Sequence, residues 1–244
     1  MTGSTLALEG VVKRFQGLVA LDGVSLAVGE GEILGLIGPN GSGKTTLLNI
    51  ASGVNRPTEG RLVVAARDAT RRRASQFAKL GVGRTFQQIR LFADMTVAEK
   101  VLVGPVARGE SRAVVPELLK RLNLADVADR LAVTLSYGDQ RRVEIARALA
   151  GRPRFLLLDE PAAGMNEVES DALLETIQAI RAEQGCAVLI VDHDLRLIMR
   201  LCDRIHVLAE GRTICEGTPE HVRSDPAVIR AYLGSAGETD EPGD

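Results

Sequence analysis

An α/β fold is expected, with a mainly parallel sheet covered by helices on both faces, a small antiparallel sheet ahead of it and a helical subdomain inserted into it. Three observations lead there. The run Glu32-Ile33-Leu34-Gly35-Leu36-Ile37 has strand length and stops at a glycine-rich segment, which opens into the helically spaced residues Lys44 to Ile50. From Phe155 onward, apolar runs of strand length alternate with amphipathic helical ones, the pattern of parallel strands joined through covering helices. Between these regions, residues 94–150 carry helical spacing and no strand of comparable strength, so the sheet needs strands from both sides of that block.

The elements follow in order. Thr5-Leu6-Ala7-Leu8 and Leu21 to Val28 read as strands, with turns at Phe15-Gln16-Gly17 and Gly29-Glu30-Gly31, and Ile33 to Ile37 is the next strand. Pro57-Thr58-Glu59-Gly60 is a turn before the short strand Arg61-Leu62-Val63-Val64. In the helical block, Leu118, Leu119 and Leu122 share one face after a Pro116 start, and Val143, Ile145, Ala146 and Leu149 follow the segment Ser136 to Gln140. Next come a strand at 155–158, a helix at 167–184 with Leu173, Leu174, Ile177 and Ile180 inward, and a strand at 186–191. A helix at 194–201, a strand at 204–208, a turn at Glu210-Gly211 and a strand at 213–216 complete the alternation. Thr218-Pro219-Glu220 and Asp225-Pro226 are helix starts, whereas residues 238–244 lack apolar anchors and are expected to be disordered. The expected division is a core of residues 1–93 and 151–220, a helical subdomain of residues 94–150, and a C-terminal helix with an acidic tail at 221–244.

Composition limits the function classes. Hydrophobic residues at 45% and charged residues at 25% are ordinary for a globular chain, and with 3% aromatics and no Trp the core must be aliphatic. The longest apolar stretches, such as Cys186 to Val191, fall far short of the roughly 20 residues that span a bilayer. Met1 to Leu6 shows no basic segment followed by an apolar one, so a cytoplasmic location is expected. Cys186, Cys202 and Cys215 are odd in number and lack metal-type spacing, which favours core packing over a disulfide framework or a metal centre. A net charge of −2 argues against a general nucleic-acid binder. The local basic residues Arg67, Arg71, Arg72, Arg73, Lys79, Arg84 and Arg90 read as a solvated helical face, with an acidic partner or lipid headgroups as the alternative.

The chemistry lies in three segments. Gly38-Pro39-Asn40-Gly41-Ser42-Gly43-Lys44-Thr45 joins a strand to a helix; its glycines let main-chain N–H groups close around phosphate oxygens, and the helix N-terminus adds positive charge. Lys44 reaches the terminal phosphates as a point charge, and the Thr45 hydroxyl is a ligand for Mg²⁺, a cation that prefers oxygen. Asp159 ends the apolar run Phe155 to Leu158 and is the natural carboxylate for that metal, while Glu160 is placed to polarise a water. Ser136-Tyr137-Gly138-Asp139-Gln140 is a second phosphate-binding turn at a helix start. One nucleotide rarely needs both devices.

In order along nearly the whole chain, these segments resemble the ATP-binding subunits of ABC transporters. Phe15 stands where that family places an aromatic against adenine, Gly38 to Thr45 matches the Walker A motif, and Thr85-Phe86-Gln87 matches the Q-loop. Leu135 to Gln140 matches the signature motif, Leu156 to Glu160 the Walker B strand with its catalytic Glu, and His193 in Val191-Asp192-His193-Asp194 the switch histidine. Arg84 to Phe92, Pro161 to Asn166 and Asp225 to Gly234 look like the ATPases of bacterial branched-chain amino-acid importers. Two positions depart from the general pattern: Tyr137 replaces the first signature Gly, and Asn166 stands where the D-loop generally has Asp.

The resemblance implies a P-loop NTPase (RecA-like) core and two cassettes paired head to tail. ATP on Pro39, Asn40, Ser42, Lys44, Thr45, Thr46 and the loop glycines of one chain would be capped by Ser136, Gly138 and Gln140 of another. Gln87 would join Thr45 and Asp159 around Mg²⁺, and Lys44, Glu160 and His193 would carry hydrolysis, with His193 at the γ-phosphate. The implied partners are a second ATPase subunit, transmembrane permease subunits and, indirectly, a solute-binding protein; no nucleic acid is expected. The implied place is the cytoplasmic face of the inner membrane. Bland readings compete: a satisfied strand-end histidine for His193, a surface amide for Gln87, a turn aromatic packed on the small sheet for Phe15. His206 and His221 carry no motif. A soluble mechanochemical ATPase acting on ribosomes or DNA is the alternative function, and a P-loop kinase is disfavoured because it has no use for the Ser136 turn.

Overall fold

The computed structural model describes residues 5–86 and 94–234, so Gln87, Arg90 and the acidic tail named above lie outside the described residues. The chain forms two compact units, one from residues 1–29, 33–73 and 191–244, the other from residues 30–32 and 74–190.

The first unit begins with β1 (Thr5–Phe15) and β2 (Leu18–Gly29), an antiparallel pair joined at Gln16-Gly17 with φ of 42° and 96°. Two successive positive φ values give the turn whose twist suits a hairpin. Both strands outrun the expected Leu8 and Leu21 limits, because register shifts between Leu8 and Lys13 absorb the break in alternation. β3 (Ile33–Ile37) is buried throughout and leads into α1 (Lys44–Ala51). β4 (Glu59–Val64) pairs with β1, and β5 (Arg67–Asp68) with β4, which completes the antiparallel sheet in the order β2-β1-β4-β5.

The second unit contains α2 (Ala74–Lys79), β6 (Val82–Arg84), α3 (Val97–Arg108), α4 (Val114–Arg121), α5 (Tyr137–Ala150), β7 (Phe155–Asp159), α6 (Glu167–Gln184) and β8 (Ala187–Val191). β6 and β7 are parallel, and β8 follows in the order β8-β7-β6. Thr96 caps α3, accepting from the Glu99 N–H while the Glu99 carboxylate accepts from the Thr96 N–H, a capping box that fixes the start of the helical block. α4 begins at Val114, two residues before the expected Pro116, because proline is tolerated throughout the first turn. α3 and α5 pack so closely that a Cβ on Gly104 would lie 2.2 Å from the Arg147 carbonyl oxygen. Leu173, Leu174, Ile177 and Ile180 of α6 face inward as their spacing requires; each fully buried side chain of this size contributes about 1.5–3 kcal/mol.

The basic run does not form one helical face. Arg67 lies in β5, Arg71 to Arg73 precede α2, Lys79 ends it, and Arg84 sits on β6 with its side chain only 6% exposed, paired with Asp159. Pairing with the buried Asp159, invisible in a list of charges, removes the Arg84 side chain from solvent.

The first unit resumes with α7 (Leu195–Leu201), β9 (Arg204–Ala209), β10 (Arg212–Gly217), α8 (Pro219–Ser224) and α9 (Pro226–Gly234). β9 runs parallel to β3 and antiparallel to β10. Cys186 and Cys202 are buried thiols pushed up to about 12 by desolvation, as core packing requires. His206 of β9 is fully buried, with Nδ1 2.7 Å from a Glu216 carboxylate oxygen and Nε2 2.9 Å from the Thr213 hydroxyl. Burial depresses its pKa below 6.5, against the opposing pull of Glu216. The unfolded chain therefore binds the extra proton first, so stability is intact above about 6.5 and falls as pH drops toward the folded value. Thermal melts at stepped pH are expected to show that slope, flattened in His206→Gln; an equal slope in both proteins would assign the loss to other groups.

Candidate functional site

In the first unit the segment after β3 is built for close backbone approach. Gly38 has φ 151° and a Cβ there would lie 2.0 Å from the Leu208 carbonyl oxygen; Gly43 has φ 103° and would place a Cβ 2.6 Å from the Ala20 carbonyl oxygen. Only glycine fits either position. The turn at Glu210-Gly211 braces the loop: the Gly211 N–H donates to the Ser42 carbonyl at 3.1 Å, and the Gly211 carbonyl accepts from the Asp22 N–H at 2.8 Å. Tyr232 of α9 adds a hydrogen bond to the Gly38 backbone. The Glu210-Gly211 turn is legible in the sequence, but its bracing role is not.

Lys44 Nζ donates to the carbonyls of Gly38 at 2.7 Å and Pro39 at 2.8 Å, so the ammonium lies across the loop it belongs to. Ser42 is 2% exposed and its hydroxyl has no hydrogen-bond partner among the described residues, a cost of roughly 1–3 kcal/mol unless a ligand meets it. Thr45 and Thr46 stand in the first turn of α1, and Asn40 and Gly41 are exposed at the rim. An orphaned buried hydroxyl, a cationic amine and a helix N-terminus in one loop fit a polyphosphate. Phe15 ends β1, half exposed, with Lys13 Nζ 4.7 Å from its ring centre. His193 is exposed on the segment after β8, and its Nδ1 lies 3.6 Å from the buried Asp192 carboxylate. Asp194 caps α7 through the N–H groups of Arg196 and Leu197.

In the second unit Asp159 ends β7, buried, with Arg84 Nη2 3.3 Å from Oδ2. Desolvation raises the Asp159 pKa and Arg84 opposes the rise. The Asp159 N–H donates to the Thr85 hydroxyl at 3.2 Å, joining the end of β7 to the residue two before Gln87. Glu160 has φ 49°, a left-handed conformation that costs a non-glycine residue on the order of 1–3 kcal/mol and marks a constrained position.

Ser136 caps α5: its Oγ accepts from the Asp139 N–H at 3.2 Å and donates to the Asp139 carboxylate at 2.9 Å. Gln140 Nε2 donates to the Leu135 carbonyl at 2.9 Å, and Gly138 is buried at the helix start. The Tyr137 ring lies on Gly164, where a Cβ would come within 2.5 Å of it. Asn166 caps α6, its side chain accepting from the Glu169 N–H at 2.9 Å. Arg142 donates to Asp139 at 2.6 Å and to Glu169 at 3.3 Å, bridging the starts of α5 and α6. The structure also brings in residues that sequence reading missed: Arg141 and Glu144, fully buried and paired at 3.0 Å, with Arg141 Nη1 also donating to the Phe86 carbonyl. Their only signal was a charged pair on the apolar face of α5.

Two family models match this chain: ABC transporter over residues 21–163, and branched-chain amino acid ATP-binding cassette transporter over residues 212–238. The high-affinity branched-chain amino acid transport ATP-binding protein LivG of Salmonella typhimurium is 42% identical, covering 97% of this chain and 100% of that protein. A crystal structure of an ABC transporter ATP-binding cassette in its ADP conformation is 34% identical with a TM-score of 0.83, over 95% of this chain and 99% of that one. The dimeric structure of a bacterial ABC transporter cassette is 29% identical with a TM-score of 0.82, over 88% and 98%. None of these is described as acting on ribosomes or DNA. The segment Gly38 to Gly43 leads into α1, Asp159 ends β7 and Ser136 precedes α5. The chain belongs to the ABC transporter family, as an ATP-hydrolysing cassette subunit with a P-loop NTPase fold.

Proposed function

We propose that this chain powers the import of small solutes, namely branched-chain (hydrophobic) amino acids, from the cytoplasmic face of the inner membrane, through separate transmembrane permease subunits fed by a solute-binding protein. The match of its C-terminal residues 212–238 to the branched-chain cassette model carries this reading, with similarity to LivG along its full length in support. No helix among the described residues is long and apolar enough to cross a membrane; in this reading the permease subunits carry the solute path.

The site works as half of a composite pocket. Lys44, Ser42 and the loop N–H groups hold the terminal phosphates of ATP, Thr46 extends the first turn beside them, and Phe15 stacks on adenine. Ser136, Gly138 and Gln140 close over the nucleotide held by a second cassette, which explains why one chain carries two phosphate devices. Thr45, Gln87 and Asp159 are the residues that would hold Mg²⁺, which when bound neutralises phosphate charge; an oxygen donor set of this kind suits it. Glu160 polarises the attacking water and His193 contacts the γ-phosphate, so catalysis rests on positioning and charge stabilisation.

Solubilised native membranes supply the test. The chain, pulled down through a C-terminal tag, is expected to bring two permease subunits, and its deletion to abolish uptake of labelled leucine, isoleucine and valine. Normal uptake after deletion, or co-purification with an export system, would reject the assignment.

A further inference from the structure

We propose that Cys215, His221 and Asp225 form a zinc-binding site that clasps the end of β10 to α8 and to the start of α9. One ligand atom from each residue lies within 4.8 Å of the others, although the three come from different elements and share no recognised metal spacing. Their approach is set by the local fold. Thr218 caps α8, accepting from the His221 N–H at 3.3 Å, and turns His221 back over β10. The ring sits so close to the strand end that a Cβ on Gly217 would lie 2.5 Å from His221 Cδ2. Asp225 caps α9 with Oδ1, which accepts from Ala227 at 2.7 Å and Val228 at 3.2 Å, and its carboxylate also takes a hydrogen bond from the Cys215 thiol. Capping fixes the orientation of that carboxylate before any ion arrives.

The donor set selects the ion. A thiolate, an imidazole and a carboxylate match the borderline character of Zn²⁺, with a water completing four ligands, whereas Mg²⁺ prefers oxygen alone. Without an ion, the Cys215 thiol proton lies in the hydrogen bond to the Asp225 carboxylate. Zinc binding forms the S–Zn bond and releases the thiol proton to solvent, leaving a dication balanced by two anionic ligands. Cys186 and Cys202 do not compete, because each is buried with its pKa pushed up to about 12. The clasp lies in the first unit, on the helix whose Tyr232 meets the start of the phosphate loop.

Cobalt serves as the spectroscopic probe. The reduced, nucleotide-free full chain titrated with Co²⁺ is expected to develop a near-ultraviolet thiolate-to-cobalt band saturating at one ion per chain, displaced by Zn²⁺ and untouched by excess Mg²⁺. Cys215→Ala should abolish the band. His221→Gln alters an exposed side chain, and Asp225→Asn keeps the helix cap; each should weaken Zn²⁺ competition at least about 10-fold, the scale of losing support at a metal site. Absence of the band in the parent chain, its survival in Cys215→Ala, or unchanged affinity in His221→Gln would each overturn the proposal.

Discussion

Replacement of Glu160 by Gln is expected to leave ATP binding intact, to lower hydrolysis by about 10²–10⁴-fold, and to trap paired cassettes around unhydrolysed nucleotide. The side chain keeps its size and hydrogen-bonding reach but loses the basicity that polarises water. Its backbone supports the choice of this carboxylate over its neighbour: Asp159 is buried against Arg84, whereas Glu160 follows the end of β7 in a left-handed conformation. Such strain persists only where surrounding structure holds it, and it clusters at reacting groups. Bound-nucleotide stoichiometry, phosphate release and size-exclusion chromatography with ATP read the three effects separately. Unchanged turnover would remove Glu160 from catalysis; lost ATP binding would make the residue structural.

Sequence made the site legible where function is written in the backbone, and hid it where function depends on which side chains become buried. The loop from Gly38 to Thr45 was readable because its glycines encode positive φ values and close approaches that no other residue accepts. Ser136 was readable as a cap followed by helical spacing. Arg84 was not, because arginine in a basic run looks solvated until β6 buries it against Asp159. The brace between Gly211 and Ser42 was equally hidden: it joins residues far apart in the chain, and neither carries a polar side-chain signal for the other. In the fold, strand and helix types were legible from apolar periodicity, while β1 ran on to Phe15 because its irregular register conceals the alternation on which a strand limit is judged.

The buried pair in α5 yields the largest expected loss of stability. Arg141 and Glu144 are both fully shielded from water, and Arg147 Nη2 stands 3.6 Å from the same carboxylate. Lys100 of α3 is buried beside them, with Nζ lacking a hydrogen-bond partner among the described residues; desolvation foremost, then Arg147, lowers its pKa while Glu144 opposes the shift. One carboxylate thus faces several cationic groups, and Glu144→Gln would remove the anion paired with Arg141 at 3.0 Å, with the charge of Asp159 still acting on Arg141. A loss of up to about 3–5 kcal/mol is expected, the scale of breaking a buried ion pair by removing one partner. The double variant Arg141→Met with Glu144→Leu removes both members of the pair and should recover the share of the loss due to Arg141, though not that due to Lys100 and Arg147, so the two changes will be non-additive in urea unfolding. Additive losses would mean that packing, not charge balance, sets the cost. The pair also reaches beyond stability, since Arg141 anchors the Phe86 carbonyl immediately before Gln87. A double variant that stays folded but has reduced ATP turnover would identify that tether as a positioning contact for the segment that follows Phe86, whereas full turnover would confine the pair to the folding of the helical block.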